Sequence, residues 1–566
     1  MQRPGEAIKC SSAGKNCKKR SSLCLCLYPP SLSRSIFQAR FMVGVILLFL
    51  TFGCTTVGPD FTKPSAPIAG EWIEEGNPKV KTEPVNYSDW WTVFGDPVLD
   101  FLIKTAYDEN LDLQVAGLRI LEARAQLGIA VGNQFPQVQE VGASYSYNEI
   151  SKNAPGSAGG DLHLQTYSYA LDASWELDFW GKFRRAVESS DAALIASIAD
   201  YDDVLVSLTA EVASTYVLIR IFQERLAVAR ENVKIQENSF ELTNVLYTNG
   251  AVTQLDYQQA KSLLRETQAL VPTLEAGLRQ AQNALCILLA IPPRDLSELL
   301  EGSKTIPKVP SEVAVGVPAQ LLLRRPDIRR AELQAAAQCA QIGVAKAELF
   351  PQISILGTFG FESSDSPFTQ AGGSDFSDLF SWQSFTMSTG PSIQWPVLNY
   401  GRIKNNVRVQ DARFQQLLVV YRKTVLQAAR EVEDSLIGFL QAQELVAFLS
   451  ESVEAAKRAV EVSLIQYREG AADYTRVLNS QQFLVQAEDR LVQSRGAVPT
   501  NLISLYKALG GGWQMREGKG FVSEETIKTM ESRTDWGNLL PPRDLPKNLD
   551  VPPAADVRSL PRMPDW

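Results

Sequence analysis

The sequence predicts a mainly helical chain with a β-barrel contribution, built as a two-fold internal repeat that carries four strands and long helices. Similar segments recur at offsets of about 215 and about 220 residues, which indicates a duplicated unit. Residues 182–247 contain neither proline nor glycine, and their apolar residues recur at three- and four-residue spacing over about four heptads. Four shorter segments alternate apolar and polar residues with period two, which is typical of strands.

The composition excludes several classes of function. The chain has 566 residues, a net charge of −9 and one histidine, His163. The acidic balance argues against a nucleic-acid partner, and one histidine leaves no basis for a histidine metal site or a Ser-His-Asp triad. Because the carboxylates are scattered along helix faces, we expect no enzyme activity, no metal and no bound cofactor.

Two of the seven cysteines lie in the body of the chain, Cys286 and Cys339. Each falls in a helical pattern among small apolar residues. The favoured interpretation is therefore two buried small side chains, and a disulfide between them is the alternative.

The amino terminus, residues 1–53, reads as a signal segment with an extension. Residues 1–40 are rich in serine, cysteine and basic residues, and they are either an extended n-region or an overlong start. Phe41–Phe52 is apolar but too short to span a bilayer, which favours a secretory segment. A small residue, Gly53, then precedes Cys54, which predicts lipoprotein cleavage and a covalent lipid on Cys54. Thr51 stands where leucine is usual, so an uncleaved signal anchor or a different cleavage remains the alternative.

Residues 54–95 are predicted to be a lipid-anchored extended segment. Val57–Pro67 contains three prolines, which fix φ and remove hydrogen-bond donors, so this part cannot be helical. Aromatic residues that follow are expected to attach the loop to the body of the protein: Trp72, Trp90, Trp91 and Phe94. Asp96 followed by Pro97 is a favourable helix start.

The repeat divides the body into residues 96–310 and 311–513. Ala125–Ala130 resembles Ala340–Ala345 at the shorter offset. Trp175 corresponds to Trp395 at the longer one. Each copy is predicted to contain a helix, two strands, a long helix, a turn and a return helix. Leu322–Gln352 is then the beginning of the second copy, where a helix meets a strand.

The four strands are predicted at about 137–148, 164–179, 352–362 and 383–396. In each, one face is apolar and aromatic and the other is small and polar. The pattern fits a soluble sandwich or a membrane barrel, and two features favour the barrel. The segments are long enough to cross a bilayer, and the hairpins carry loops rich in Gly, Ser and Asp at 151–161 and 363–381. Four strands cannot close alone in lipid, so two chains would supply eight strands or three chains twelve.

The long helices are expected to reverse at glycine turns. Residues 182–247 could reach about 100 Å at 1.5 Å per residue, and the second copy repeats their apolar seam. Turns at Thr248–Gly250 and at Glu469–Gly470 suit the left-handed position that ends a helix. Return helices follow at about 253–290 and 473–509.

The second copy opens with four arginines: Arg324, Arg325, Arg329 and Arg330. They are either an anion site or structural partners of carboxylates.

Several motifs resemble one known family, the TolC-like outer-membrane efflux proteins, and in particular their OprM/NodT lipoprotein branch. The resemblance covers about Cys54 to Trp513. It is carried by Cys54 with Gly58-Pro-Asp-Phe61, by Leu322–Ile328 with Phe350-Pro351, by Trp395–Arg402, and by Leu505–Trp513.

The resemblance implies an outer-membrane homotrimer in a Gram-negative bacterium. Its twelve-stranded barrel in outer-membrane lipid would continue as a twelve-helix periplasmic barrel with a mixed belt around its middle. The place of the four arginines in that belt favours structural pairing with carboxylates. Such proteins are the exit duct of tripartite pumps, in which a periplasmic adaptor joins the duct to an inner-membrane transporter of the resistance-nodulation-division (RND) type. The implied function is export of small toxic compounds or drugs.

The resemblance also implies a periplasmic gate near the second turn. Gly470–Asn479 matches the family's stretch there, including Tyr474. Thr475 replaces a constricting leucine, Asn479 replaces an aspartate, and the usual arginine partner of that aspartate falls at Gln466. The resulting hypothesis is a gate held by neutral hydrogen bonds instead of an ionic latch.

The implied gate residues are Gln466, Tyr467, Asp473, Tyr474, Thr475, Arg476 and Asn479. The hairpin tips implied to contact the adaptor are Asn249, Gly250, Glu469 and Gly470. The alternative is that these residues only cap and pack the hairpins.

Two other functions stay open at this point. One is a duct for type I protein secretion, and the other is a periplasm-spanning structural lipoprotein without a channel. Residues 514–566 form a proline-rich carboxyl-terminal tail, expected to be loose, with Trp513 and Trp536 able to hold its first part on the body.

Overall fold

The computed structural model describes residues 56–540 apart from 82, 84–86, 150, 152, 154–162, 303–304, 317–322 and 367–372. The signal segment, Cys54, the last part of the tail and most of the first hairpin loop lie outside the described residues. The predictions made for them therefore stay predictions.

Helices dominate the described chain, and four long strands form one sheet. The helices are α1 Pro97–Glu109, α2 Leu111–Gly132, α3 Lys182–Thr248, α4 Gln254–Leu288, α5 Pro326–Ala347, α6 Arg402–Arg468, α7 Tyr474–Ala508 and α8 Glu524–Glu531. The strands are β1 Val138–Glu149, β2 His163–Glu176, β3 Gln352–Ser364 and β4 Phe385–Gln394. Short 3-10 helices lie at Trp90–Phe94, Phe376–Asp378, Trp382–Ser384 and Trp513–Arg516, and Val80–Lys81 pairs in parallel with Val313–Ala314.

The predicted bounds of these elements agree with the structure to within a few residues. The first helix begins as its sequence indicates, because the Asp96 side chain accepts a hydrogen bond from the backbone N–H of Val98 and Pro97 occupies the first turn. Among the strands the largest difference is in β2, which ends at Glu176, three residues earlier than predicted. β4 begins two residues later than predicted because a 3-10 turn occupies Trp382–Ser384. It ends at Gln394, before Pro396, whose ring cannot donate to a ladder.

The strands form an antiparallel sheet in the order β1-β2-β3-β4. Pairing runs straight across the sheet, so that Val141 lies opposite Leu171, Leu171 opposite Phe359, and Phe359 opposite Met387. The central pair, β2 and β3, joins the two halves of the chain. β1 and β4 are edge strands with one unpaired side each.

Two helices of 67 residues continue from the sheet. Each follows a left-handed glycine, Gly181 at φ +76° and Gly401 at φ +81°, a conformation that only glycine adopts without strain. At 1.5 Å per residue each helix is about 100 Å long. Their predicted seam is confirmed in the core, where Val212 of α3 and Val432 and Phe439 of α6 are fully buried.

By length and composition α3 is also apolar enough to cross a membrane. However, 61% of that apolar segment is buried inside the protein. Its apolar residues are therefore accounted for by core packing.

The aromatic residues of the extended segment attach it to the body, as predicted. Trp72, Trp90, Trp91 and Phe94 are all buried. The Trp90 ring stacks on Tyr506 of α7 with centroids 5.4 Å apart. This segment is therefore part of the core.

Both cysteines of the body are free and buried, so the alternative of a disulfide between them is wrong. The Cys339 thiol points toward the carbonyl of Pro59 at 3.7 Å. Burial raises the pKa of Cys339 to about 11, which keeps the thiol protonated at neutral pH.

The expectation of a loose tail does not hold for residues 513–540. Helix α8 buries Met530 against Leu121 of α2 and Leu540, and Trp536 packs on the same cluster. Arg516 is held between the rings of Trp513 and Phe521, 5.6 and 5.3 Å from their centroids. This part of the tail is a structural element of the body.

Candidate functional site

The apolar face of the sheet is exposed on the isolated chain. Side chains at alternate positions point to one side, and most of them remain more than a third exposed: Val141, Tyr145, Tyr147, Tyr169, Leu171, Trp175, Ile355, Phe359, Phe385, Met387 and Ile393. A soluble protein would cover such a continuous apolar face. The sandwich interpretation therefore has no second layer among the described residues, and the face suits a lipid environment.

The opposite face is polar and acidic. The hydroxyls of Ser144 and Ser168 lie 2.7 Å apart, and Thr358 donates to Asp172 at 2.6 Å. Glu140, Asp172, Glu176 and Glu362 occupy this face, and none of the four strands contains lysine or arginine. A surface of this kind is suited to line water and favours cations over anions.

The junction of sheet and helices is held by indole and backbone hydrogen bonds. Trp175 donates to the carbonyl of Gln134, and Trp395 donates to the carbonyl of Leu349, each at 3.1 Å. Trp180 stacks on Phe350 with centroids 4.6 Å apart. Trp175 and Trp395, which correspond in the repeat, therefore mark the end of the apolar face that adjoins the helices.

The segment that follows Cys54 is attached at this same junction. The backbone N–H of Val57 donates to the carbonyl of Trp180 at 3.0 Å. The buried guanidinium of Arg185 donates to the Val57 carbonyl at 3.3 Å and to the Asp60 carboxylate at 2.7 Å. Residue 56 thus lies where the sheet ends and α3 begins.

The arginines at the start of the second copy are structural. Arg325 forms ion pairs with Asp327 and Glu431, both at 2.8 Å. Arg330 pairs with Asp200 and with Asp203, the latter at 2.9 Å. The prediction of structural pairing is confirmed for these two arginines, which leaves no open anion site around them.

The two hairpin tips share one backbone geometry. Gly250 and Gly470 adopt left-handed φ values of +73° and +70°. The N–H of Gly250 donates to the backbone carbonyl of Tyr247 at 2.9 Å, and the N–H of Gly470 donates to that of Tyr467 at 3.0 Å. These bonds satisfy carbonyls that the helix ends leave unpaired.

The tips differ in how the return helices begin. At the first tip, Thr253 and Asp256 form a reciprocal capping box, which satisfies two helix N–H groups. At the second tip, Asp473 makes no side-chain capping bond. The second return helix therefore starts with less support, and it is the one whose tip carries the implied gate residues.

The implied gate residues divide into a buried pair and an exposed set. Tyr467 and Tyr474 are buried with ring centroids 5.3 Å apart, and burial raises the pKa of both. The exposed or half-exposed members are Gln466, Asp473, Thr475, Arg476 and Asn479. Within the described chain no hydrogen bond joins the side chains of Gln466 and Asn479. The gate therefore stays a prediction.

Sequence reasoning missed two buried polar side chains in the helices that lead to and from the tips. Gln236 of α3 and Gln481 of α7 are each 2% exposed, and none of their amide atoms has a protein hydrogen-bond partner among the described residues. The two helices pack against each other. Because buried amides without partners weaken packing, the packing at these two positions is less cohesive than in the apolar core. The signal was available, since position 236 continues the seam spacing of Ala229 and Val233.

Comparison with known proteins agrees with this architecture. A family model described as outer membrane efflux protein matches residues 102–290 and again residues 317–511. Nodulation protein T of Rhizobium leguminosarum bv. viciae is 30% identical over 475 residues, which cover 84% of this chain and 94% of that protein. The pyoverdine export outer membrane protein OpmQ of Pseudomonas putida is 31% identical over 494 residues, which cover 87% of this chain and 97% of that protein.

A solved structure of the outer-membrane channel OprN superimposes with a TM-score of 0.73 at 32% identity, covering 81% of this chain and all of that one. These matches also place the chain in the outer membrane, extending into the periplasm. The chain belongs to the outer membrane efflux protein family, the TolC-like channels that its motifs resemble.

Proposed function

We propose that three copies of the chain close into a twelve-stranded barrel continued by twelve helices, and that this duct exports small toxic compounds or drugs. The observation that carries the proposal is the sheet, whose apolar face is exposed, whose other face is acidic, and whose two edges are unpaired. Open edges are not tolerated in lipid. Two chains would give eight strands, and barrels of that size are filled by side chains or one small ligand, whereas twelve leave room for a water-filled path.

Family membership supports the proposed partners. The duct has no energy source, so an inner-membrane transporter of the RND type would drive export and a periplasmic adaptor would join it to the tips at Asn249, Gly250, Glu469 and Gly470. Relatives of similar identity carry names as different as pyoverdine export and cation efflux. The substrate therefore does not follow from family membership.

Ion conductance tests the channel directly. The purified protein in planar bilayers is expected to form discrete, long-lived conductances that favour potassium over chloride. Glu140→Gln with Asp172→Asn and Glu362→Gln should bring the permeability ratio toward one, because these side chains are three of the four carboxylates of the polar face and the fourth, Glu176, is paired with Lys182. Glu149→Gln is the matched control, since Glu149 points to the other face. A protein that never conducts would instead be a structural lipoprotein.

Export is tested by deleting the gene. Cells without the protein are expected to accumulate a fluorescent dye or drug and to regain efflux on complementation. If dye efflux is unchanged and a secreted protein disappears from the medium, the duct serves type I secretion.

A lipid on Cys54 agrees with where the following residues lie. Thr56 packs beside Gly181 at the sheet–helix junction, and two residues reach at most about 7 Å further. Metabolic labelling with palmitate is expected to mark the wild-type protein and not Cys54→Ser, while Cys339→Ser keeps the label. A labelled Cys54→Ser protein, or a mature amino terminus elsewhere, would contradict this proposal.

Gating by neutral hydrogen bonds predicts weak salt dependence. Neutral bonds lack the screened charge of an ionic latch, so the open probability of single channels should change little with salt. Asn479→Ala should raise the open probability, whereas Asn249→Ala, the same change at the first tip, should not. A large rise with salt in the native protein that Asn479→Ala abolishes would exclude the neutral gate.

A further inference from the structure

The loop between β3 and β4 folds back onto the apolar face of the sheet. We call residues Phe376–Ser384 the aromatic flap; it consists of two 3-10 turns joined by Leu379–Ser381. Each flap aromatic contacts an outward-facing aromatic of a strand: Phe376 lies 5.3 Å from Tyr167, Phe380 6.5 Å from Tyr169, and Trp382 6.2 Å from Phe361 between ring centroids. The flap therefore extends the apolar face.

The flap is an ordered element. Ser363 donates from its hydroxyl to the carbonyl of Asp375 at 2.7 Å, and Ser384 donates to the carbonyl of Asp378 at 2.8 Å. Asp375 and Asp378 form a reciprocal capping box around the first turn. Leu379, within the flap, is buried at 4% exposure. These bonds hold the backbone in one place and leave the aromatic rings on its outer side.

The rings of the flap are exposed although the flap is well bonded. Phe376, Phe380 and Trp382 are 58, 66 and 82% exposed. Large aromatic side chains usually supply most of the burial of a contact, so three of them exposed on one short segment indicate an apolar partner. Their continuity with the face of Leu171 and Phe359 indicates that the partner is the same as for that face.

The flap lies at the end of the sheet remote from the helices. Along β2, Tyr167 beneath the flap and Trp175 at the helix junction are eight residues apart, or about 26 Å at about 3.3 Å per residue. Strands of outer-membrane barrels tilt by about 35–45°, so this length corresponds to about 19–22 Å of height, and aromatic girdles flank an apolar band about 25 Å tall. The flap, which lies at the outer end of this span, is therefore close to the height of the second girdle.

We propose that the aromatic flap is a lipid-binding surface that inserts into the outer leaflet of the outer membrane, at the boundary of headgroups and acyl chains. The proposal rests on the closed barrel proposed above. Indole and phenyl rings are suited to this boundary because they combine a large apolar body with a favourable interaction with polar groups. The flap would hold the outer end of the barrel at a fixed depth.

Spin labels at three positions test the proposal in the full-length protein in lipid vesicles. Phe380→Cys reports the flap, Leu171→Cys the middle of the apolar face, and Ser168→Cys the polar face. Collision with oxygen, which concentrates in lipid, is compared with collision with a water-soluble nickel complex. The two buried cysteines, Cys286 and Cys339, should label little, and the unlabelled background is measured on the native protein.

The expected ratio of oxygen collisions to nickel collisions is several-fold higher at residue 380 than at residue 168. It is lower at residue 380 than at residue 171, because the flap lies less deep in the membrane. Phe376→Cys should give the same result if the label perturbs position 380. A lipid-like value at 171 with a water-like value at 380 would overturn the flap proposal alone. Protection from both reagents at 380 would also overturn it, since the flap would then contact protein. A water-like value at 171 would overturn the barrel itself.

Discussion

Leu171→Arg is expected to abolish stable insertion into the outer membrane. Leu171 lies midway between Tyr167 and Trp175 on the apolar face, opposite Val141 and Phe359. An arginine at the midplane of a membrane barrel costs about 2–4 kcal/mol, so about 6–12 kcal/mol for the three copies of a trimer. The measurement is the share of the protein that fractionates with the outer membrane as a heat-dissociable oligomer.

Ser168→Arg is the matched control for that change. It places the same side chain three residues away on the same strand, on the polar face opposite Glu362 and Ser144. This variant should insert normally and show a reduced preference for cations. Equal insertion of the two variants would mean that the apolar face does not contact lipid.

Arg516→Leu is expected to release the carboxyl-terminal segment and to destabilise the body of the protein. Arg516 forms a bidentate ion pair with Asp202, in which Nη2 of the guanidinium lies 2.9 Å from Oδ2 of the carboxylate. The Asp202 side chain is 3% exposed. Removing one partner of a buried pair costs about 3–5 kcal/mol, because the other charge stays buried without its hydrogen-bonded partner. Thermal unfolding and limited proteolysis near residue 517 measure the two effects.

The stability lost in Arg516→Leu should depend on pH. Burial raises the pKa of Asp202, and Arg516 and Arg329 oppose that rise. Without Arg516 the folded protein binds the proton more tightly than the unfolded chain does, so stability falls as pH rises through the folded-state pKa. Arg516→Leu should therefore cost less at about pH 5 than at about pH 8.

Replacing both partners separates the ion pair from simple packing. Asp202→Val with Arg516→Met removes the buried charge together with its partner, and such exchanges are often neutral or stabilising. The double variant should recover most of the lost stability and lose the pH dependence. If it is as unstable as Arg516→Leu, the segment is held by the packing of the Arg516 side chain on Trp513 and Phe521.

Most of the helices and strands could be predicted because their signals are local. The period-two alternation around Leu171, the seam that includes Val212 and the glycines at 250 and 470 each depend on neighbouring residues. The extended segment was also predictable, since its prolines exclude a helix. Its attachment was foreseen from Trp90 and Trp91, although their stacking partner, Tyr506, was not.

The features that sequence reasoning missed depend on residues far apart in the chain. Asp202 and Arg516 are 314 positions apart, and neither is unusual within its own segment. The same holds for Gln236 and Gln481, which belong to different copies of the predicted repeat. The aromatic flap lies partly in the predicted loop at 363–381 and partly in the predicted strand at 383–396, because composition does not show that a loop folds back onto a sheet.

By itself the sequence determined the type of the long helices and of the four sheet strands, the alternation of the sheet and the family, since short-range periodicity and motifs record them. Only the tertiary structure decided that β2 pairs with β3 across the two halves, that the apolar face stays exposed, and that residues 513–540 pack on the body. The physical reason is that periodicity states which side chains share a face. What that face contacts depends on the free energy of long-range packing, which no local pattern contains.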